Sequence, residues 1–261
     1  MPLHRPSLRE RMRQQAFVVG TMVQLNCCEL VEIAGMAGYD YVMLDAEHGA
    51  LGIGELAQLI RAADAAGIAA MVRVPDHGAA FIQRVLDAGA AGVLVPRVCA
   101  SAPLEAAVAA ARFGPLGTRG ACATSRAAGH WRADWPDFAR QASADALVWA
   151  LVEDPAGVEN IAQIAAVGGL DALVFGAFDL AQSLGQPGQV HAAAVRAGFD
   201  RVRAAAQARR LDLVAITAAE PGGVRAALAR GARIVLDGFD AQIVSAAYRE
   251  RIQRLREELV A

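Results

Sequence analysis

The sequence predicts a single α/β domain folded as a closed (β/α)8 barrel, the TIM-barrel architecture. Its 261 residues come close to the ~250 residues that are typical of this fold. Short apolar runs alternate with longer alanine-rich amphipathic runs about eight times, and such alternation implies parallel strands joined by right-handed crossovers. No linker-like stretch rich in Pro, Gly or Ser interrupts the pattern, so residues 1–261 are expected to form one domain.

Eight apolar runs are expected to form the strands. Several of them, such as YVMLD and LVWALVE, are apolar without interruption, as strands buried on both faces are. The predicted strands are residues 16–25, 39–45, 69–74, 92–96, 146–153, 172–176, 213–217 and 233–236.

The amphipathic runs between them predict helices. Gly67, Gly89 and Gly231 follow three of these runs, where glycine commonly ends a helix. The predicted helices are residues 29–37, 54–66, 79–88, 102–113, 158–167, 191–210, 221–230 and 241–259.

Residues 114–144 form a long connection that carries the sequence GPLGTRGACATSRAAGHWRADWPDFARQ. Connections of this length in a compact domain are usually functional or mobile. Because the segment falls after the fourth strand, we expect it to be either a strand-to-helix lid or a subunit contact.

The composition excludes several mechanisms. The chain contains no lysine, and all 25 of its basic residues are arginine. A Schiff base requires a side-chain amine and a P-loop requires a lysine, so neither is available. Arginine stays protonated in proteins and does not act as a general base. The net charge of −2 provides no overall field that would attract nucleic acid.

The four cysteines include no C-x-x-C pair, so neither a zinc ribbon nor a thioredoxin-like motif is present. No apolar run of signal-peptide length follows the basic N-terminus, and none reaches the roughly 18 residues of a membrane span. We therefore expect reduced thiols and a cytoplasmic protein without a membrane partner.

Chemistry in barrels of this kind takes place at the carboxyl ends of the strands. The second predicted strand ends in Asp45, followed by Glu47 and His48. Histidine suits proton transfer near neutral pH, and a neighbouring carboxylate fixes its tautomer; the alternative is a surface histidine. Arg73 ends the third strand. A buried arginine needs an anionic partner, either a substrate carboxylate or an internal salt bridge with Asp45 or Glu47.

Two further carboxylates follow consecutive strands. Glu153 ends the fifth strand, and Asp179 lies just past the sixth. Together they suggest a site for a hard cation such as Mg²⁺, Mn²⁺ or Co²⁺. The alternatives are an acid at a helix N-terminus for Glu153 and a helix N-cap for Asp179. The turn at residues 176–178 leaves free backbone N–H groups that suit an anion. Arg119, in the long connection, either contacts an anionic substrate or is a mobile surface residue.

These residues lie in motifs that resemble the class II pyruvate-dependent aldolases, the HpcH/HpaI family. The resemblance runs from about residue 20 to residue 236. It rests on six motifs in the same order, namely GYDYVMLDAEHG, MVRVP, FIQRVLDAGAAGVLVPRV, RFGPLGTRG, ALVED-x-x-GVENI and LDALVFGAFDLAQSLG. The resemblance implies reversible cleavage of a 4-hydroxy-2-oxo acid to pyruvate and an aldehyde through a metal-stabilised enolate. Decarboxylation of oxaloacetate is expected as a side activity.

The resemblance also implies a role for each residue. Glu153 and Asp179 match the two carboxylates that bind the divalent metal. Arg73 matches the arginine that contacts the pyruvate oxygen, and His48 matches the catalytic histidine, with Asp45 beside it in the proton-transfer network. Because the chain lacks lysine, only the metal route to a stabilised carbanion remains.

Three more implications concern the substrate carboxylate and the assembly. The backbone of Gly176, Ala177 and Phe178 matches the turn that holds the substrate carboxylate. Asp87 matches an acid that reaches a neighbouring subunit's site and pairs with its histidine. The family forms homohexamers with exchanged C-terminal helices, and the long helix predicted at residues 241–259 is compatible with such an exchange.

The sequence departs from the family pattern at two places near the expected site. Leu151 stands where the family often has glutamine, and Phe178 adds bulk beside the carboxylate turn. Two other readings remain at this point. One is a metal-dependent lyase of citramalyl or malyl thioesters, and the other is a non-catalytic barrel that binds small acids.

Overall fold

The computed structural model describes residues 7–217 and 222–260. Eight parallel strands close into a barrel in the order β1 to β8, which confirms the predicted fold. The strands are β1 (Val18–Val23), β2 (Tyr41–Asp45), β3 (Ala69–Arg73), β4 (Gly92–Val95), β5 (Leu147–Val152), β6 (Ala172–Phe175), β7 (Asp212–Thr217) and β8 (Ile234–Phe239).

Seven of the eight predicted helices are present, and twelve helices in all are found within the described residues. They are α1 (Leu8–Gln14), α2 (Cys28–Ala37), α3 (Ile53–Ala66), α4 (Ala79–Asp87), α5 (Ser101–Ala111), α6 (Trp135–Asp145), α7 (Pro155–Glu159), α8 (Ile161–Ile164), α9 (Ala177–Ser183), α10 (Ala193–Arg209), α11 (Gly223–Ala229) and α12 (Asp240–Val260). The helix predicted at 158–167 is replaced by α7 and α8, and the first residue predicted for α11, Pro221, lies outside the described residues. None of these helices has the length and apolarity that crossing a membrane requires.

Helices α1, α6 and α9 were not predicted. Helix α1 begins with a capping box in which the Ser7 side chain accepts from the Glu10 amide and the Glu10 carboxylate accepts from the Ser7 amide. Two such bonds satisfy amides that a helix start leaves free. At seven residues each, α1 and α9 are too short for a clear helical period to emerge from the apolar pattern.

Helix α1 lies across the amino ends of the strands. Its Leu8 and Met12 side chains are buried in the cluster that fills the barrel interior. Arg11 donates to the backbone carbonyl of Asp40, which directly precedes β2, and to that of Gly67, which lies two residues before the first residue of β3. The helix therefore closes the end of the barrel opposite the carboxyl ends of the strands.

The barrel interior holds a large aromatic pair. The Tyr41 and Trp149 rings meet edge to face with centroids 5.6 Å apart, and the Tyr41 hydroxyl donates to the Val235 carbonyl at 3.1 Å. The Tyr41 ring also lies directly over Gly20, where an added Cβ would stand 2.4 Å from the ring. Glycine at residue 20 thus makes room for this ring inside the barrel.

Gly20→Ala is expected to destabilise the protein by about 1–3 kcal/mol, because the added methyl group overfills a closely packed interior. Gly54→Ala is the matched control. Nothing lies within 4 Å of its added Cβ, and alanine favours the interior of a helix such as α3 by roughly 0.5–1 kcal/mol. Urea unfolding of both variants measures the difference. Equal stability of the two variants would contradict the tight packing of Tyr41 on Gly20.

The long connection has a different position from the one expected. Helix α5 lies between β4 and this segment, and α6 lies inside it, so the segment joins a helix to a strand. Arg126 donates to the carbonyl of Ala88 and pairs with Asp64, near the ends of α4 and α3 that precede β4 and β3. The expectation of a strand-to-helix lid is therefore wrong, because the segment runs at the amino ends of the strands.

Candidate active site

A buried ion pair joins the ends of β2 and β3. The sheet register places Asp45 beside Arg73. The Arg73 Nε lies 2.8 Å from Asp45 Oδ1, and Nη2 lies 2.6 Å from Oδ2. Burial alone would raise the pKa of Asp45, but the guanidinium and its hydrogen bonds more than offset this, and the pKa falls below its ordinary value. The internal salt bridge considered for Arg73 is therefore present.

Both oxygens of Asp45 have further donors. Gln24 Nε2 donates to Oδ2 at 2.8 Å, and the backbone amides of Glu47 and His48 donate to Oδ1 at 3.1 and 3.2 Å. A carboxylate with this many donors favours its ionised form. Asp45 is thus a fixed anion that orients Arg73 and the turn carrying His48, and its contact with His48 is through the backbone.

Glu47 lies between two arginines. Its side chain is only 6% exposed. Oε2 lies 3.3 Å from Arg73 Nη1, and Oε1 lies 3.2 Å from Arg97 Nε. Oε2 receives no hydrogen bond of good geometry, so its contact with Arg73 is chiefly electrostatic. Sequence reasoning named Glu47 only as an alternative salt-bridge partner of Arg73, a contact that the structure contains, and did not count it among the site residues.

His48 lies at the edge of this cluster. Its side chain is 50% exposed, and Nε2 lies 3.9 Å from Glu47 Oε2. The imidazole therefore faces solvent on one side and a buried carboxylate on the other. This position allows it to exchange protons with a molecule that enters the opening of the barrel.

Glu153 occupies the end of β5 and is almost fully buried. Its Oε1 accepts the backbone N–H of Arg97 at 3.0 Å. Burial, with smaller contributions from Asp179 and Glu47, raises the pKa of Glu153 to about 7, although the Arg97 amide and the Arg73 charge act in the opposite direction. Glu153 is thus a carboxylate whose negative charge is incompletely compensated by the protein.

Gly176 allows the next strand end to approach Glu153. A Cβ at residue 176 would lie 2.5 Å from the Glu153 Cβ and 2.9 Å from its Oε2. The same Cβ would meet Leu151 at 3.4 Å, so an apolar side chain lies beside the carboxylate at this point. Only glycine fits here without displacing Glu153.

Asp179 lies in the first turn of α9 and is exposed. The N-cap of that helix is Gly176, so the alternative reading of Asp179 as an N-cap is wrong. The Gly176 amide already donates to the Val152 carbonyl at 3.0 Å. The amides of Ala177 and Phe178 are therefore the ones at this turn that remain for an anion.

The described residues contain no group of three or more His, Cys, Asp or Glu side chains that could hold a metal ion. A cation between Glu153 and Asp179 would therefore have two carboxylate ligands and would take the others from water or substrate. Hard cations, Mg²⁺ in particular, are commonly bound in this way.

Asp87 and Arg119 lie apart from these residues within one chain. Arg119 Nη2 lies 2.7 Å from Asp87 Oδ1, and the guanidinium lies 4.6 Å from the centre of the Phe113 ring. Asp87 is the last residue of α4, and four residues separate it from Gly92, the first residue of β4. The pair therefore lies toward the amino ends of the strands. Arg119 is buried, so the alternative of a mobile surface residue is wrong. The role that the resemblance implies for Asp87 lies in a neighbouring subunit and stays a prediction.

Comparison with known proteins agrees with this geometry. The model of the HpcH/HpaI aldolase/citrate lyase family matches residues 19–247. The chain belongs to this family. A 4-hydroxy-2-oxovalerate aldolase of Novosphingobium aromaticivorans is 31% identical over 98% of this chain and 96% of its own length.

Solved structures of the family resemble the chain over nearly its whole length. An HpcH/HpaI aldolase from Desulfitobacterium hafniense DCB-2 has a TM-score of 0.91 and 30% identity, and the match covers 96% of this chain and 97% of that one. The citrate synthase SbnG has a TM-score of 0.89 and 30% identity, with 98% and 99% covered. The protein is an enzyme of the HpcH/HpaI family, and the predictions of a lyase and an aldolase are confirmed.

Proposed function

We propose that the protein catalyses the reversible cleavage of a 4-hydroxy-2-oxo acid to pyruvate and an aldehyde. The observation that carries the proposal is the under-compensated carboxylate of Glu153, which lies near Asp179 and Arg73 at the carboxyl ends of the strands. Perturbed ionisable groups of this kind cluster at functional sites. The family relatives, among them the aldolase from N. aromaticivorans, support the same reaction class.

Glu153 and Asp179 are the residues that would hold a divalent cation, either Mg²⁺, Mn²⁺ or Co²⁺. A bound cation would offset both the repulsion between the two carboxylates and the cost of burying the negative charge of Glu153. When bound, the cation supplies Lewis-acid stabilisation of the negative charge that develops on the 2-oxo oxygen. The chain has no lysine to form a Schiff base in its place.

Arg73 binds the same oxygen. Its Nε and one N–H of Nη2 are occupied by Asp45, which fixes the plane of the guanidinium. Nη1 lies 3.3 Å from Glu47 Oε2, which receives no hydrogen bond of good geometry, so N–H groups of Nη1 and Nη2 remain for the substrate. A donor held in this way needs no reorganisation as charge develops on the substrate. The amides of Ala177 and Phe178 hold the substrate carboxylate.

His48 removes the proton from the 4-hydroxyl group, directly or through a water molecule. The C3–C4 bond then breaks, the aldehyde carbonyl forms at C4, and the electron pair remains on C3 as the enolate of pyruvate. A proton delivered to C3 completes pyruvate. Asp45 supports this step by holding the turn that carries His48. Loss of carbon dioxide from oxaloacetate gives the same enolate, so we expect decarboxylation as a side activity.

A homo-oligomer is part of the proposal, as a hexamer by family resemblance with α12 exchanged between subunits. Helix α12 exposes Tyr248, Ile252 and Leu259, the last with 86% of its surface accessible. Apolar side chains exposed in a row on one helix suit burial against another chain. In such an assembly Asp87 would act in the site of a neighbouring subunit. A monomeric mass in analytical ultracentrifugation would contradict this arrangement.

Pyruvate release from a panel of 4-hydroxy-2-oxo acids tests the function. We expect turnover that EDTA abolishes and that added Mg²⁺, Mn²⁺ or Co²⁺ restores. The reason is that no side chain of the protein supplies Lewis-acid stabilisation of the negative charge on the 2-oxo oxygen. Product is measured with a coupled pyruvate assay. Full turnover in EDTA would exclude the proposed cation role, and no pyruvate from any substrate would exclude the reaction.

A further inference from the structure

Arg97 is an exposed arginine whose backbone is nevertheless fixed. It follows the end of β4 and adopts a left-handed backbone conformation with φ of 50°, which is uncommon for a residue other than glycine. Its N–H donates to Glu153 Oε1 at 3.0 Å. Its side chain is 71% exposed, in contrast to the buried Arg73 and Glu47.

The Arg97 guanidinium lies over the candidate active site. Its Nε donates a hydrogen bond to Glu47 Oε1 at 3.2 Å. The terminal nitrogens Nη1 and Nη2 have no hydrogen-bond partner within residues 7–217 and 222–260. Since the guanidinium is a planar fork that fits a carboxylate with two parallel bonds, an unused pair of terminal nitrogens is suited to an anionic ligand.

The charges around Arg97 leave its own charge only partly compensated. Glu47 is shared between two guanidinium groups, with Oε2 toward Arg73 and Oε1 toward Arg97. Arg73 has Asp45 as its main partner. Among the residues that the structure describes, Arg97 pairs with Glu47 alone, and its side chain is exposed to solvent beside the cluster.

We propose that Arg97 determines substrate specificity by binding a carboxylate on the aldehyde half of the substrate. The preferred substrates are then 4-hydroxy-2-oxo dicarboxylic acids, and the released aldehyde carries a carboxylate. This inference rests on the proposed function, which places the 2-oxo acid end at Glu153 and Arg73 and the 4-hydroxyl at His48. His48 is next to Glu47, the partner of Arg97, so the substituent on C4 extends toward the free guanidinium nitrogens.

The test compares substrates that share the reacting group and differ in the tail. 4-Hydroxy-2-oxopentanoate ends in a methyl group, and 4-hydroxy-2-oxoglutarate has a carboxylate in that place; 4-hydroxy-2-oxoheptanedioate extends the acid by two carbons. The measured quantity is the ratio of kcat/KM for the better dicarboxylate to that for the monocarboxylate, in the presence of Mg²⁺ or Mn²⁺.

Arg97→Asn is the informative variant, because asparagine tolerates positive φ and keeps the backbone N–H on Glu153. We expect it to lower the ratio by about 10- to 100-fold, as loss of a charge-assisted hydrogen bond does. Arg97→Lys keeps the charge and retains part of the ratio. Arg140→Asn is the control, since Arg140 is 73% exposed on α6 and should leave the ratio unchanged.

An unchanged ratio in Arg97→Asn, or a wild-type enzyme without preference for either dicarboxylate, would overturn the inference. Wild-type enzyme that releases no pyruvate from any of the three substrates would instead count against the proposed function. Melting temperatures of the variants show whether a change in the ratio accompanies intact folding.

Discussion

Glu153→Gln is expected to reduce pyruvate release by about 10³-fold or more while making the cation-free protein more stable at pH 8. The activity falls because a neutral amide is a poor ligand for a hard cation, and the charge stabilisation that a cation contributes is several kcal/mol. The stability rises because the substitution removes a buried carboxylate whose charge the protein does not fully balance.

The pH dependence of this effect follows from the pKa of Glu153, which burial raises from 4.5 to about 7 in the folded protein. Between these values the folded state binds more protons than the unfolded state, so the free energy of unfolding falls as pH rises. At about 1.4 kcal/mol per pH unit, the full penalty above pH 7 is about 3 kcal/mol. Glutamine lacks this penalty, and we expect a gain of about 1–3 kcal/mol at pH 8 that disappears near pH 4.5.

Urea unfolding in EDTA at several pH values measures the gain. Asp154→Asn is the matched control, because it removes one negative charge at the adjacent residue, whose side chain caps α7 at the surface. Asparagine caps a helix about as well as aspartate, so little change is expected. If Glu153→Gln lost stability at pH 8, the carboxylate would be better compensated than its burial indicates.

Arg73→Met is expected to destabilise the protein by about 3–5 kcal/mol, since it leaves Asp45 as a buried charge without its main partner. Pyruvate release should also fall by about 10²- to 10³-fold through loss of the donor to the 2-oxo oxygen. Both are measured on the purified variant, by urea unfolding and by the coupled assay. Arg140→Met, which breaks an exposed ion pair on α6, should change stability by less than about 0.5 kcal/mol.

A double variant separates the two effects of Arg73. Asn in place of Asp45 removes the unpaired charge, and its one side-chain oxygen can still accept from the backbone amides of Glu47 and His48, which both donate to Oδ1 of Asp45. Arg73→Met with Asp45→Asn should therefore regain most of the stability but none of the activity. Recovery of activity together with stability would show that Arg73 acts only through folding.

The barrel was predictable because its signal repeats along the chain. Each of the eight apolar runs has the composition of a strand buried on both faces. The amphipathic runs between them predict helices, and eight strand–helix units at this chain length predict a closed barrel. Short elements carry too few residues for such a period. Helix α9 has seven residues, and α6 begins within a polar segment and buries only Ser143, so neither could be distinguished from a loop.

The site residues could be predicted only where a polar side chain stands out at the end of an apolar strand. Asp45, Arg73 and Glu153 are polar residues at the ends of apolar strands, and the structure places them at one end of the barrel. Arg97 gave no such signal, because its contact with Glu153 is made by a backbone N–H that any residue type could supply. Its left-handed conformation is likewise a property of the fold around it.

The packed barrel interior, which Leu8 and Met12 of helix α1 complete at the amino ends of the strands, has a consequence for kinetics, because it leaves only the opening at the carboxyl ends of the strands for access to the site. Reactants and products must share it. In the proposed reaction the aldehyde departs first and pyruvate, seated deeper, departs last. Free pyruvate therefore occupies the same space as the incoming acid and should inhibit cleavage competitively, whereas in the direction of synthesis it must enter before its aldehyde partner.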